Sequence, residues 1–286
     1  MAVLTQLRRA AVAIIKPRVS ERSWELLCRL DPSAERRAQR ARRKAKALAK
    51  PSDNSQPSLS ERDLPSLAKH FGTDKWGVHR YAQHYERHLE HLKNEEFTLL
   101  EIGIGGYRRE MAGGASLRMW KAFFPRAQIV GLDIYDKSFV NEPRIRAYRG
   151  RQTDAAMLRT IVSDVDRLLV VIDDGSHRSE DIKETFSVLF PLLEDGGIYA
   201  IEDLQTSYFP RWGGTMDLAD PNTSMGLIKR LLDGLNFEEW QSDDYQPSYS
   251  DQHVVAIHAY HNLVLLEKGT NNEGTNRKPQ WYQPVR

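Results

Sequence analysis

The sequence has one cysteine, almost no net charge and no long apolar run, and each shortage narrows the field. The lone Cys28 excludes an internal disulfide framework and any cysteine-based metal cluster. Its 41 lysines and arginines face 39 acids, a formal charge of +2, so the total implies no nucleic-acid partner. The longest apolar run near the start, residues 10–15, stops at Lys16-Pro17. That is far below the roughly 20 residues needed to span a bilayer, and short for a signal-peptide core. No internal repeat is visible. The expectation from these absences is a soluble, cytoplasmic protein.

What is present divides by composition. Residues 1–50 read as a basic helical extension; between Glu35 and Lys50, Arg36, Arg37, Arg40, Arg42, Arg43, Lys44, Lys46 and Lys50 stand against Glu35 as the only acid of that stretch. Such a segment suits peripheral contact with an anionic membrane, at about 1 kcal/mol per basic residue near the surface; a solvated helix is the plainer alternative. Residues 51–60 (PSDNSQPSLS) read as a linker. Residues 61–286 should form one large domain, since a usual domain holds roughly 100–200 residues and extensions are common.

Within that domain, residues 97–102 (FTLLEI), 128–132, 168–172 and 197–201 are short runs rich in Val, Ile and Leu. Near-continuous hydrophobicity suits strands covered on both faces. Helical stretches at 115–124, 155–162 and 179–193 lie between them. Alternating strands and helices predict an α/β fold with a doubly wound, mostly parallel sheet. Residues 254–258 and 263–267 have hairpin spacing and predict an antiparallel pair closing one sheet edge.

The first strand runs into Glu101-Ile102-Gly103-Ile104-Gly105-Gly106. Glycines here let the backbone turn tightly and approach a ligand. The dinucleotide fingerprint would need glycine at position 108, where the chain has Arg108. An acid followed by closely spaced glycines resembles instead the first motif of class I methyltransferases. Asp133, at the end of the second strand, can accept both hydroxyls of a ribose.

The strand at 168–172 runs into Asp173-Asp174-Gly175-Ser176-His177 and the strand at 197–201 into Glu202-Asp203. In a doubly wound sheet these positions converge on the crevice that holds the glycine loop. Carboxylates gathered without interleaved cations would repel one another, and a bound Mg²⁺ or Mn²⁺ is the simplest remedy. Glu202 and Asp203 alternate along a straight strand, so the metal reading demands that the strand end there and the chain turn. His177 stands near the start of the next helix as a candidate general base. Imidazole, with a pKa of about 6.5, is a weak base toward an alcohol unless a metal acidifies the hydroxyl.

Together the motifs resemble the metal-dependent sugar O-methyltransferases of macrolide biosynthesis, of the mycinamicin and macrocin type. They are Gly72-Thr73-Asp74-Lys75, the segments 100–107 and 113–120, Gly131-Leu132-Asp133-Ile134, Ile172-Asp173-Asp174-Gly175-Ser176-His177 and Ile201-Glu202-Asp203, spread over residues 71–214. The resemblance implies S-adenosylmethionine as methyl donor and Asp174, Glu202 and Asp203 as Mg²⁺ ligands, with His177 as catalytic base. It implies that Glu101, Gly103, Gly105, Ser116, Asp133 and Asp174 lie around the cofactor, with Gln152 and Asp154 near its adenine. Tyr81, with Thr73-Asp74-Lys75, would form part of a lid. The acceptor would be a sugar-bearing small molecule or glycan, and the assembly a homo-oligomer.

Residues 1–60 depart from the family pattern, so the acceptor need not be a macrolide. The aromatics of residues 209–214 and 245–249 suit either a sugar face or simple packing. A phenol or catechol methyltransferase, a non-catalytic nucleoside-binding scaffold and a metal-dependent hydroxylase are the competing readings. The last would want a second histidine near the acids.

Overall fold

In the computed structural model, residues 58, 59, 62–109, 111–240 and 244–275 are described. The expected extension at 1–50 and most of the linker at 51–60 lie outside the described residues. Helix α1 (Leu64–Phe71) is fixed at both ends. Asp63 caps it by accepting from Ser66 N at 2.6 Å, and Gly72 ends it in the left-handed conformation. Helix α2 (Ala82–Leu89) follows, and then the chain enters strand β1 (Thr98–Ile102).

The remaining elements alternate as expected: α3 (Ala115–Phe123), β2 (Gln128–Asp133), β3 (Ile145–Arg149), α4 (Ala155–Ser163), β4 (Leu168–Asp173), α5 (Ser179–Leu189) and β5 (Ile198–Ile201). After α6 (Ser224–Gly234) and α7 (Tyr249–His253), strands β6 (Val254–Tyr260) and β7 (Leu263–Lys268) form the hairpin. The sheet order is β3-β2-β1-β4-β5-β7-β6. The first five strands pair in parallel, and β7 runs antiparallel to both β5 and β6.

Strand alternation sends neighbouring residues into different cores. Leu99, Ile129, Val170 and Ala200 pack with α1, α2 and α3 on one face. Leu100, Val130, Val171 and Tyr199 pack with α4, α5 and α6 on the other. This two-sided burial is why the strands read as continuous apolar runs.

Two boundaries differ from the sequence expectation by more than one residue. Helix α5 stops at Leu189 rather than Leu193, because Pro191 has no N–H to continue the ladder. The hairpin loop is only His261-Asn262, and Asn262 takes φ 63°, a conformation asparagine tolerates. Residues 259 and 260 therefore belong to β6. Among the described residues, no helix is long and apolar enough to cross a membrane.

Candidate active site

The carboxyl ends of β1, β2, β4 and β5 open on a cavity of about 490 Å³, within the usual range for small-ligand sites. Its floor is the loop after β1. Gly103 has φ 90°, and a Cβ there would stand 2.1 Å from the Asp174 carbonyl oxygen. Only glycine lets the β1 and β4 loops meet this closely. Lys137, buried, holds the far side of the loop by donating to the carbonyls of Tyr107 and Ala112 at 2.8 and 2.9 Å.

Asp133 lies at the cavity wall, where its carboxylate accepts from the backbone N–H of Ile104 at 3.0 Å and Tyr135 at 2.8 Å. These bonds fix the carboxylate and leave it further acceptor capacity toward the cavity. Gly105 and Ser116 also line the cavity, Ser116 from the first turn of α3.

Gln152 lines it too, although its amide is already engaged. It accepts from Ser176 N at 2.7 Å and donates to Asp173 at 3.2 Å and Thr185 at 3.1 Å. Burial, opposed by a backbone hydrogen bond from Gly175, pushes Asp173 up to about 7. Asp154 is not brought to the cavity. It is exposed and caps α4, accepting from Met157 N at 3.0 Å.

The acids divide into two groups. In front, Asp174, His177 and Asp203 present ligand atoms within 4.8 Å of one another and line the cavity. The chain does turn after β5 as the spacing demanded: Asp203 adopts φ 55°. His177, two residues before α5, also has a positive φ, 56°. Its Nε2 stands 3.8 Å from Asp203 Oδ2. Tyr81, the N-cap residue of α2, donates to Asp203 Oδ1 at 2.9 Å and so reaches the site through that acid.

Behind them, Glu101 and Glu202 are buried and face Lys75, which is itself only 1% exposed. Lys75 Nζ stands 2.7 Å from Glu202, 2.8 Å from Asp174 and 3.1 Å from Glu101. Tyr85 donates to Glu202 at 2.7 Å. Burial lowers the lysine's proton affinity, but the three carboxylates more than offset it, leaving its pKa well above the ordinary value. Glu202 is raised well above its own, by burial first and then by Asp174.

This arrangement corrects one premise of the sequence reading, that no cation interleaves the acids. Lys75 does so, because a buried carboxylate is costly without a charged partner. It also separates the expected ligand set: Asp174 and Asp203 meet at the cavity, whereas Glu202 is turned to Lys75 and Tyr85. Glu101 likewise does not line the cavity.

The sequence motifs place Lys75 only in the lid, and they carry no signal for Tyr85 or for His79, whose Nε2 is 3.7 Å from Asp203. The glycines flanking Lys75, at 72 and 77, were the available signal of a shaped loop. Of the aromatic segments, Tyr245 bonds Arg230 at 2.8 Å, and Tyr249, exposed, stacks on His253 at 3.8 Å. Phe209 stays 46% exposed, with Trp212 beside it at 6.0 Å.

The donor sets suit the expected groups. The two carboxylates Asp174 and Asp203 meeting at one point fit a hard divalent cation, with the His177 imidazole beside them as a base. A glycine loop leading to a helix, with an acid fixed at the next strand end, fits a nucleoside.

No family model matches the chain. It is 46% identical over 215 residues to the mycinamicin VI 2''-O-methyltransferase of Micromonospora griseorubida, covering 74% of this chain and 54% of that protein. It is 47% identical over 215 residues to the demethylmacrocin O-methyltransferase of Streptomyces fradiae, with the same coverage. The chain thus spans about half the length of these relatives. Among solved structures, the MycE methyltransferase of the mycinamycin pathway, in complex with Mg, SAH and mycinamycin VI, superposes with a TM-score of 0.74. That match has 44% identity and covers 79% of this chain and 58% of the other. The chain is a close homologue of the mycinamicin- and macrocin-type sugar O-methyltransferases and belongs with them to the class I methyltransferase superfamily.

Proposed function

We propose that this chain is an S-adenosylmethionine- and Mg²⁺-dependent O-methyltransferase acting on a sugar hydroxyl of a glycosylated, macrolide-type natural product. The observation that carries the reading is the convergence of Asp174, His177 and Asp203 on the cavity formed by the glycine loop and Asp133. The names of the relatives support the same chemistry.

In the reaction, the bond from sulfur to methyl carbon breaks as the bond from carbon to the sugar oxygen forms, and the hydroxyl proton must leave. Asp133 would accept the ribose hydroxyls, while the glycine loop gives the nucleoside its close approach. His177 would take the proton from the acceptor hydroxyl. Tyr81 holds Asp203 by its hydrogen bond, and so helps orient the carboxylate beside that imidazole. Asp174 and Asp203 would hold the Mg²⁺, with Glu202 as a third carboxylate behind them. When bound, the ion supplies Lewis acidity that lowers the hydroxyl pKa and aligns the oxygen. Asp154 has no part in this reading.

The test is methyl transfer from S-adenosylmethionine to a panel of macrolide-borne and simple glycosides, followed by mass spectrometry. The expected result is a one-methyl gain on a sugar, abolished by EDTA and by Asp174→Asn. Transfer to catechols in preference to every glycoside would replace the acceptor class. If S-adenosylhomocysteine neither bound nor raised the melting temperature, the scaffold reading would take over.

Three further elements belong to the proposal: a cytoplasmic setting, homo-oligomeric assembly and contact of residues 1–50 with anionic membrane. The single cysteine and the basic run support the first and last. Equal vesicle flotation of the full chain and a version lacking residues 1–50 would remove the membrane element.

A further inference from the structure

A second cluster of metal-ligating side chains lies away from the cavity, where α2 meets the outer hairpin. His84 and His88 are four apart on α2 and share a face. On β6, His258 and Tyr260 share a face by alternation, and Glu267 of β7, paired with Ala256, lies on that same face. His258 Nε2 is 2.7 Å from Glu267 Oε1, and His88 Nδ1 is 4.0 Å from the same oxygen. One ligand atom from each of the three lies within 4.8 Å of the others.

The other nitrogen of His88 is also engaged. Its Nε2 is 2.7 Å from Tyr260 Oη, and the Tyr260 ring is stacked against His84 at 3.7 Å between centroids. If Nε2 carries the proton and donates it to the Tyr260 oxygen, Nδ1 is left with its lone pair facing His258 and Glu267. Metal-binding histidines are commonly oriented in this way, by a hydrogen bond from the nitrogen that does not ligate.

The geometry points to a transition-metal site of the Zn²⁺ class, ligated by His88 Nδ1, His258 Nε2 and Glu267 Oε1 and oriented by Tyr260. Zinc bonds to nitrogen and carboxylate oxygen of about 2.0–2.2 Å place neighbouring tetrahedral donors roughly 3.3 Å apart. The 2.7 and 4.0 Å separations bracket that value, so small side-chain rotations would equalise them. The histidines separate this site chemically from the carboxylate-rich cavity, because imidazole selects Zn²⁺, Ni²⁺ or Cu²⁺ over Mg²⁺. His88 is 11% exposed, whereas His258 and Glu267 are 33% and 38% exposed, which leaves an entry path and room for a water as fourth ligand. The ion would clamp α2, the helix that carries Tyr85, to the two strands at the sheet edge. It is independent of the methyltransferase reading.

The test is calorimetric titration of the untagged full chain with ZnCl₂ in excess Mg²⁺, in an Asp203→Asn background that weakens competing uptake at the cavity. One equivalent of Zn²⁺ should bind. It should be lost with His258→Ala and with Glu267→Gln, and weakened roughly 10–100-fold by Tyr260→Phe. Melting in EDTA identifies variants that remain folded, and Glu267→Gln keeps the side-chain volume should His258→Ala fail to fold. Absence of Zn²⁺ uptake by the Asp203→Asn chain would overturn the assignment. So would unchanged uptake in folded His258→Ala and Glu267→Gln chains.

Discussion

Behind the tips of β1 and β5, Glu101 and Glu202 are sealed from solvent around Lys75 and Tyr85. In front, Asp174, His177 and Asp203 face the cavity within reach of one another. Glu202 and Asp203 are adjacent in the chain and fall on opposite sides of this divide, since β5 ends at Ile201 and Asp203 turns through a positive φ. Asp174 touches both groups, 2.8 Å from Lys75 and close to Asp203 and His177. The rear group has an internal counter-ion, so its charge is partly offset before any ligand arrives. The front group carries two carboxylates, and a divalent ion fits there. A cluster of acids is therefore read better by which of its members already have a cation than by how many there are.

The largest expected effect comes from breaking the rear group. Lys75→Met leaves buried carboxylates without their cation, and removing one partner of a buried ion pair costs about 3–5 kcal/mol. In a domain of this size, that is a fall of roughly 6–20 °C in melting temperature. Scanning calorimetry without metal or cofactor measures it. A fall of only a degree or two would mean that Lys75 is not the counter-ion that holds the group together. Lys75→Arg should recover little, because the larger planar guanidinium does not fit a site built around an ammonium.

Breaking the front group should look different. Asp203→Asn changes a side chain that is 21% exposed, so the ligand-free protein should melt within a few degrees of the parent. What it should lose is the response to ligands. In the parent chain, S-adenosylhomocysteine at about 100 times its Kd should add about 2.7 kcal/mol. Added Mg²⁺ should raise the melting temperature again. In Asp203→Asn the cofactor shift should persist and the Mg²⁺ increment should vanish. Loss of both shifts would mean that Asp203 also supports the nucleoside; loss of neither would place the Mg²⁺ site elsewhere.

The same contrast shows what could be read in advance. Alternating apolar runs, a glycine loop and acids at strand ends are local patterns, and the sheet and the cavity follow from them. The division of the acids is not local. Lys75 lies 99 residues from Asp174 and 127 from Glu202, and no spacing rule links them. The pairing of His88 with Tyr260 spans 172 residues and was equally invisible. The overlong helix expectation at 179–193 had a simpler cause: Pro191 was present in the sequence, and its missing N–H ends the ladder whatever the apolar stripe suggests.

The smallest effect sharpens the boundary of the site on its other side, where two polar residues follow β3. Gln152 lines the cavity, while Asp154, two positions on, is exposed and occupied at the start of α4. Replacing an N-cap aspartate by alanine typically costs about 0.5–2 kcal/mol, because the N–H it satisfied loses its partner. Asp154→Ala should therefore lower the melting temperature by a few degrees. It should leave the affinity for S-adenosylhomocysteine unchanged, as measured by calorimetric titration of the folded protein. A tenfold loss of affinity at preserved stability would return Asp154 to the cofactor site, and would mean that the loop after β3 rearranges when the nucleoside binds. Gln152→Ala provides the opposing case. It removes the clip that joins this loop to Ser176, Asp173 and Thr185, so it should cost both stability and cofactor affinity.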